Sequence, residues 1–550
     1  MPIRTTQRVS FLSLAMPAFL ALLWTGLKPF SETDAAVPTV PRANDQQLVL
    51  NARHRVPDLS SISQYRVEEK PLEWQASRTA LIIVDMWDKH WCQGASDRVA
   101  ELAPRMNRFV AAARDKGVLV VHAPSSCMEP YKDHPARHRA QNAPKAGDLP
   151  SEIASWCKQI PAEEKGKYPI DQSDGGCDCT PKCPSGSPWR REVETIQIRD
   201  EDAISDSGVE IWNLLEARGI SNVMIMGVHT NMCVLGRPFG LRNMARYGKN
   251  VVLVRDLTDT MYNSRAWPNV SHFRGTDLIV EHIEKFVCST ISSDQLLGGL
   301  AFRFKDDVRP RVVIAISEDE YKTAETLPRF AAEVLQDQLG LDTTILHGDK
   351  TNPHVIPGLA DALDNADLLF VSMRRRALPQ KDLDAVRAYL KSGRPLVGIR
   401  TASHSFDARG NGPAGHAEWK TFDPDVLGGN YHAHHPAGPV TSVTLASSTS
   451  DHPILAGVTC PFTSNASLYQ VRPLASSTTP LLVGSIPNAE PEPVAWVNMY
   501  GKSRVFYTSL GYVDDFENPQ FVRLLGNAVQ WALNKPIPTA PGRSETSGER

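Results

Sequence analysis

The feature that most constrains this chain is a pair of strand ends. The apolar run 80–84 closes on a lone carboxylate, Asp85. A second apolar run, 222–226, passes straight into Gly227-Val228-His229-Thr230-Asn231-Met232-Cys233-Val234. Apolar runs of this length without polar alternation are the pattern of strands buried on both faces, as in a parallel sheet covered by helices. In open α/β sheets, ligands collect at the carboxyl ends of the strands. An acid at one such end and a thiol just past another are therefore candidates to share one cleft.

The alternation extends along the chain. Strands are expected at 80–85, 117–123, 194–198, 222–228 and 250–256. Helices are expected at 99–115, 208–217, 234–247 and 277–286. A second α/β series begins at Arg311: strands 312–316, 343–346, 367–372 and 395–401, helices near 327–339 and 380–392, β-rich pieces at 440–446, 480–484, 494–497 and 504–509, and an amphipathic helix at 519–533. At 550 residues the chain exceeds one core. The expected organisation is one domain at 77–292, a linker at 293–310, a second domain at 311–536 and a polar tail at 537–550. Each domain has three layers around a mainly parallel sheet. The stretch 127–191 interrupts the alternation and is too long for an ordinary connection, so it reads as an insertion.

Arg4 and Arg8 precede the mostly apolar stretch 9–27, and Asp34-Ala35-Ala36 supplies small residues for cleavage. Residues 1–36 thus read as an export signal or, alternatively, an uncleaved membrane anchor, with 37–76 as a leader. Nine cysteines fit an oxidising compartment. Six fall at Cys92, Cys127, Cys157, Cys177, Cys179 and Cys183. The cluster Cys177, Cys179 and Cys183 reads as zinc ligands or as a disulfide-stapled loop, and export favours the staple. An odd count leaves one thiol unpaired, with Cys233 the candidate. A net charge of −3 gives no reason to expect nucleic acid or an anionic membrane as partner. A homo-oligomer stays open.

A thiol attacks only as thiolate. Cys233 precedes the expected helix 234–247, whose N-terminal dipole favours negative charge. Asp85 supplies a general base, with Asp88 a rival. The turn from Gly227 to Cys233, including Val228, His229 and Thr230, offers N–H groups to an oxyanion. This catalytic reading carries an acidic Cys233 thiol. The bland readings are a buried small hydrophobe at Cys233 and a turn residue at Asp85. His122, ending the second strand, reads as a pocket residue or a satisfied core histidine.

On these residues the span 77–290 resembles the isochorismatase-like cysteine hydrolases. Ile83-Val84-Asp85 matches the family's first-strand aspartate. Gly227 to Val234 matches its glycine–threonine–cysteine–valine signature, which usually contains a cis peptide before the residue matching His229. The resemblance implies a Rossmann-type fold and hydrolysis of a small amide or related C–N bond. The family triad also has a lysine, and this chain has none between Lys182 and Lys249. Arg199 is the nearest cation to the expected position; guanidinium does not shuttle protons, so Arg199 is expected among the catalytic residues as an electrostatic stabiliser of a thiolate or an oxyanion. Relatives that hold a metal use an aspartate and two histidines. The only comparable cluster, Asp133, His134 and His138, has a different spacing, so no metal or other cofactor is expected.

The second half resembles the trehalose-utilisation (ThuA-like) family over 312–536, on Gly398 with the His404 turn, Trp419, Gly428-Gly429, His432 to His435, Asp451 to Ile454, Ser467 to Tyr469, and Gly501 to Gly511. The resemblance implies a flavodoxin-type, class I amidotransferase-like fold. Arg400 and Thr401 stand at the turn where amidotransferases carry a nucleophilic cysteine, and Tyr512 replaces the family's closing histidine. Arg400, His404, Trp419, His432, His434 and His435 read as a pocket for a carbohydrate-like ligand, with aromatic rings for stacking on a sugar. The expectation is an exported hydrolase of a small-molecule substrate. The alternative is a non-catalytic small-molecule or carbohydrate binding protein built from degenerate enzyme domains.

Overall fold

The computed structural model describes residues 46–58, 65–447 and 451–537. The expected signal or anchor and the tail beyond 537 lie outside the described residues. No helix among those described is long and apolar enough to cross a membrane.

The first half is built on an eight-stranded sheet. Its strands are β1 (Gln47–Pro57), β2 (Tyr65–Gln75), β3 (Thr79–Val84), β4 (Leu119–Ala123), β5 (Ala203–Ile204), β6 (Asn222–Val228), β7 (Asn250–Asp259) and β8 (Ser289–Ile291), in the order β2-β1-β8-β7-β6-β3-β4-β5. From β8 to β5 all neighbours are parallel. Every residue of β3, β4 and β6 is buried, as uninterrupted apolar runs demand. Two expectations are corrected. Residues 47–75 are not a leader: β1 and β2 form a hairpin whose β1 pairs antiparallel to β8. Alternate residues Leu48, Leu50 and Ala52 turn inward, the two-residue period of a strand with one covered face. The strand expected at 194–198 is a loop, and the sheet edge is the two-residue β5 that follows it.

The second half is a nine-stranded mixed sheet. Its strands are β9 (Arg311–Ser317), β10 (Asp342–His347), β11 (Leu368–Met373), β12 (Leu396–Ile399), β13 (Thr441–Leu445), β14 (Phe462–Ser464), β15 (Thr479–Ser485), β16 (Glu492–Tyr500) and β17 (Ser503–Thr508). The order is β10-β9-β11-β12-β17-β16-β15-β13-β14, parallel from β10 to β17 and antiparallel beyond. The whole is therefore α/β, with helices such as Gln380–Lys391 and Pro519–Ala532 burying one apolar face each. The segment 293–310 is pinned rather than slack. Asp256 accepts the N–H groups of Ser293 and Phe302, and Phe304 stacks on Phe273. Arg55 donates to Glu284 within the first half at 3.0 Å and to Asp337 of the second half at 2.5 Å.

His122, on β4, resolves as a satisfied core histidine. Its Nδ1 meets Glu192 at 2.8 Å and its Nε2 meets Asp202 at 3.2 Å. Asp202 also takes Nε and Nη2 of Arg114. Burial opposes charge on His122, but the two carboxylates outweigh it and hold the imidazolium up at about 9. Burial likewise opposes charge on Asp202, yet His122 and Arg114 bring it down to about 2. His122 therefore adds stability that is complete below its usual 6.5 and lost as pH rises through about 9. Asp202 adds stability above its usual 3.8 that is lost as pH falls through about 2. Replacing His122 by Leu should cost about 3 kcal/mol in urea unfolding at pH 6, because two buried carboxylates lose their shared cation. The deficit should shrink by pH 9.5; a deficit that stays constant with pH would refute the charged assignment.

Candidate functional site

The strand ends converge as the spacing implied. Asp85 follows β3 with φ 49° and no solvent exposure. Its Oδ1 accepts the Ser125 N–H at 2.8 Å from the end of β4. Its other oxygen accepts Nε of Arg237 at 2.9 Å. The Cys233 thiol lies close enough to the same carboxylate and to Arg237 for both to act on its charge. The His229 N–H points at the sulfur as well. Asp85, Cys233 and Arg237 form one triangle, with Asp85 and Cys233 buried and the Arg237 side chain 24 % exposed.

Two local features place the thiol. Gly227 has φ 124°, and a Cβ there would stand 2.1 Å from the Val84 carbonyl oxygen. Only glycine lets β6 end this close beside β3. The Val228–His229 peptide is cis, as the family signature implies. The helix expected at 234–247 is not formed whole. Cys233 lies inside a wide π-type turn, Thr230–Val234, which runs on helically to Gly236, breaks at 237–240 and resumes as the helix Leu241–Arg246. Pro238 explains the break, since proline disfavours helix for the residue before it and lacks the N–H that would continue one. A long helix dipole therefore does not act on the sulfur.

The cation also differs from expectation. Arg199 is half exposed and pairs with Glu201 at 3.7 Å. Arg237 holds Asp85 instead, with its guanidinium 5.5 Å from the Trp156 ring centre. Arg237 lies four residues past Cys233, on the same face of a helical turn, which was the available signal for it. Asp88, the rival base, accepts the N–H groups of Arg190 and Arg191 and so anchors the insertion. Thr230 donates to or accepts from Thr258 at 2.7 Å, and Thr258 donates to the Gly227 carbonyl, so Thr230 braces the turn. His229 is buried against His90, and burial then His90 push its imidazole down to about 3, leaving it neutral. His134 caps the helix Pro135–Gln141 through its ring nitrogen.

Electrostatics correct the acidic thiol. Burial and then the Asp85 charge push Cys233 well above its ordinary 9, against Arg237 and the His229 N–H. Burial raises Asp85 too, against the pull of Arg237, Ser125 and Cys233. At rest the site is a thiol beside a carboxylate held by a guanidinium.

In the second half the pocket forms immediately after the parallel strands. Tyr321 follows β9, Arg374 and Arg375 follow β11, Arg400 to His404 follow β12, and Tyr512 follows β17. Arg400 is buried with φ 45°, donates to the carbonyls of Ser467 and Ser509, and lies 4.0 Å from the Tyr469 ring centre and 4.7 Å from that of Tyr321. His404 stacks on Tyr431 at 4.6 Å. Burial, then Arg375 and Arg374, push it down to about 2, so it is neutral. Tyr469 continues the aromatic wall to His434 at 6.2 Å. His435 meets Gln470 at 3.3 Å.

Trp419 and His432 are not part of this wall. Trp419 packs against Phe422 and Tyr500 with Arg387 over its face. His432 is exposed and bonds the Asn430 carbonyl. Sequence reasoning missed Tyr321, the Arg374–Arg375 rim, and Asp423. Burial lifts Asp423 to about 7, and it accepts the Tyr431 N–H at 2.6 Å. Among the described residues the histidines do not form a group spaced to hold a metal.

Residues 313–532 match the model of the ThuA family, trehalose utilisation. The C-terminal half is a ThuA domain. No curated protein matches the chain. Among solved structures, a ThuA-like protein from Bacteroides uniformis is 18% identical over 42% of this chain and 94% of its own, with a TM-score of 0.33. A cysteine hydrolase from Pseudomonas syringae pv. phaseolicola is 18% identical over 41% and 92%, with a TM-score of 0.26. An isochorismatase family protein from Desulfovibrio vulgaris subsp. vulgaris is 14% identical over 40% and 96%, with a TM-score of 0.23. At such identities and scores these likenesses say nothing of substrate or chemistry.

Alkylation of Cys233 tests the geometry. Its rate should still climb at pH 9 instead of levelling near neutrality. Asp85→Asn removes the charge that opposes thiolate and leaves Arg237, so labelling at pH 8 should become faster. Unchanged or slower labelling in that variant would separate Asp85 from the sulfur.

Proposed function

We propose that the first half hydrolyses a small amide or related C–N bond through Cys233, and that the ThuA domain binds a carbohydrate-like ligand. The observation that carries the first part is that Arg237 donates to the buried Asp85 carboxylate and Cys233 lies beside both at parallel strand ends. Arginine keeps its proton, so Asp85 is the proton carrier here. As the sulfur bonds to the substrate carbonyl carbon, its proton passes to Asp85. The C–N bond then breaks, and the leaving nitrogen takes that proton. Water attacks the thioester with Asp85 again as base, and the sulfur regains its proton on release of the acid. Arg237 holds the carboxylate in place and offsets negative charge on sulfur. The His229 N–H is a ready donor toward the same charge.

A resting thiol suits this scheme, because the thiolate appears only as bond formation begins. The second part rests on the wall of Tyr321, Tyr431 and Tyr469 beside neutral His404, with basic Arg374 and Arg375 at its rim. Flat rings with nearby donors suit the apolar faces and hydroxyls of a sugar.

A panel of primary amides, ureido compounds and amidated sugars tests both parts. Cys233→Ala should lower turnover by about 10³-fold or more, and Arg237→Ala by about 10²-fold. Tyr431→Ala should weaken sugar binding in calorimetry without changing turnover of a plain amide. Wild-type protein that binds members of the panel yet turns over none would make it a binding protein.

A further inference from the structure

We propose that Cys92, Cys177, Cys179 and Cys183 bind one structural zinc ion. Their four sulfurs all lie within 4.8 Å of one another, the only group of metal-ligand spacing among the described residues. This replaces the disulfide-stapled loop and the metal-free chain expected from sequence. The Cys92 and Cys179 sulfurs are 3.7 Å apart, and none of the nine cysteines is bonded to another. A disulfide needs about 2.05 Å. A tetrahedron with zinc–sulfur bonds of about 2.3 Å has sulfur–sulfur edges of about 3.8 Å. The four sulfurs are thus gathered at the scale of a single tetrahedral ion, too tightly for a cluster of several irons.

The surrounding backbone is arranged for thiolates. The Gly94 N–H donates to Cys179 Sγ at 3.3 Å and the Gln93 N–H to Cys183 Sγ at 3.5 Å. Donors aimed at a sulfur favour its charged form. Four thiolates on one divalent cation leave net negative charge. Two features answer it: the sulfurs sit at the start of the 23-residue helix Gln93–Asp115, and Arg98 stands one turn in. Arg98 Nη1 comes within 3.2 Å of where a Gly94 Cβ would be, beside Cys179, and its Nη2 is buried without a partner.

Four protein ligands leave no open position, so the ion fastens and does not catalyse. It ties the insertion to the start of the first long helix. Inside the knuckle, Asp178 accepts the Ser264 N–H at 3.0 Å and its hydroxyl at 2.8 Å. Met261 packs on Cys92 and Cys177, and its carbonyl accepts the Asn231 amide at 3.0 Å. The knuckle thereby supports the turn that carries Cys233.

Full-length protein purified without chelator should contain one zinc per chain by elemental analysis. A mercurial should release it to a zinc-sensitive dye. Protein reconstituted with cobalt should show the absorption of a tetrahedral tetrathiolate. Cys177→Ser and Cys179→Ser should lose the metal, whereas Cys288→Ser and Cys460→Ser should keep it. If the knuckle variants fail to fold, the wild-type metal content and cobalt spectrum decide alone. Metal-free native protein with all four thiols open to alkylation, a mapped disulfide among them, or iron in place of zinc would overturn the proposal.

Discussion

A carboxylate with no exposure cannot stay charged without a cation, and that demand organises the first half. Asp85 sits at the end of a strand buried on both faces, where water does not reach it. The Ser125 N–H and the Arg237 guanidinium supply what water would. To deliver Arg237, the chain must turn sharply after β6, and Gly227 is the residue that allows the close pass beside Val84. The same turn brings Cys233 to the carboxylate. The ion pair, the turn and the position of Cys233 are thus one constraint met once.

The second half solves the inverse problem. Arg400 is a buried cation at the corresponding kind of strand end, and no carboxylate among the described residues pairs with it. Two carbonyls, a hydroxyl and the faces of two tyrosines hold it. Aromatic faces stabilise a guanidinium by about 2 kcal/mol when water is excluded. That requirement draws Tyr321 and Tyr469 together, and Tyr431 and His404 close the wall. Both halves therefore build a site from what lies just past parallel strands, with opposite charges at the centre.

Arg237 in place of a lysine changes the division of labour. Lysine gives up its proton when buried; arginine does not. In the proposed reaction the cation can then only anchor and offset charge, and the proton traffic falls to Asp85. A thiol pushed up by burial and by Asp85 fits that arrangement, where a freely ionised one would not.

Uninterrupted apolar runs marked β3, β4, β6 and β7 of the first sheet and β9, β11 and β12 of the second, because a strand buried on both faces leaves no room for polar alternation, whereas the short parallel strands β5 and β8 carry no such run. Asp85 and Cys233 were legible for the same reason: they are where those runs stop. The hairpin 47–75 hid behind polar composition, since an edge strand needs only alternate residues inward. Contacts between distant segments could be decided by tertiary structure alone. Arg237 rather than Arg199 meets Asp85 because Pro238 ends the helical turn and the Arg199 loop faces outward. Cys92 meets Cys177, Cys179 and Cys183 across more than eighty residues, a distance in chain that no local pattern encodes and that only the packing of the insertion against a helix start brings to a few ångströms.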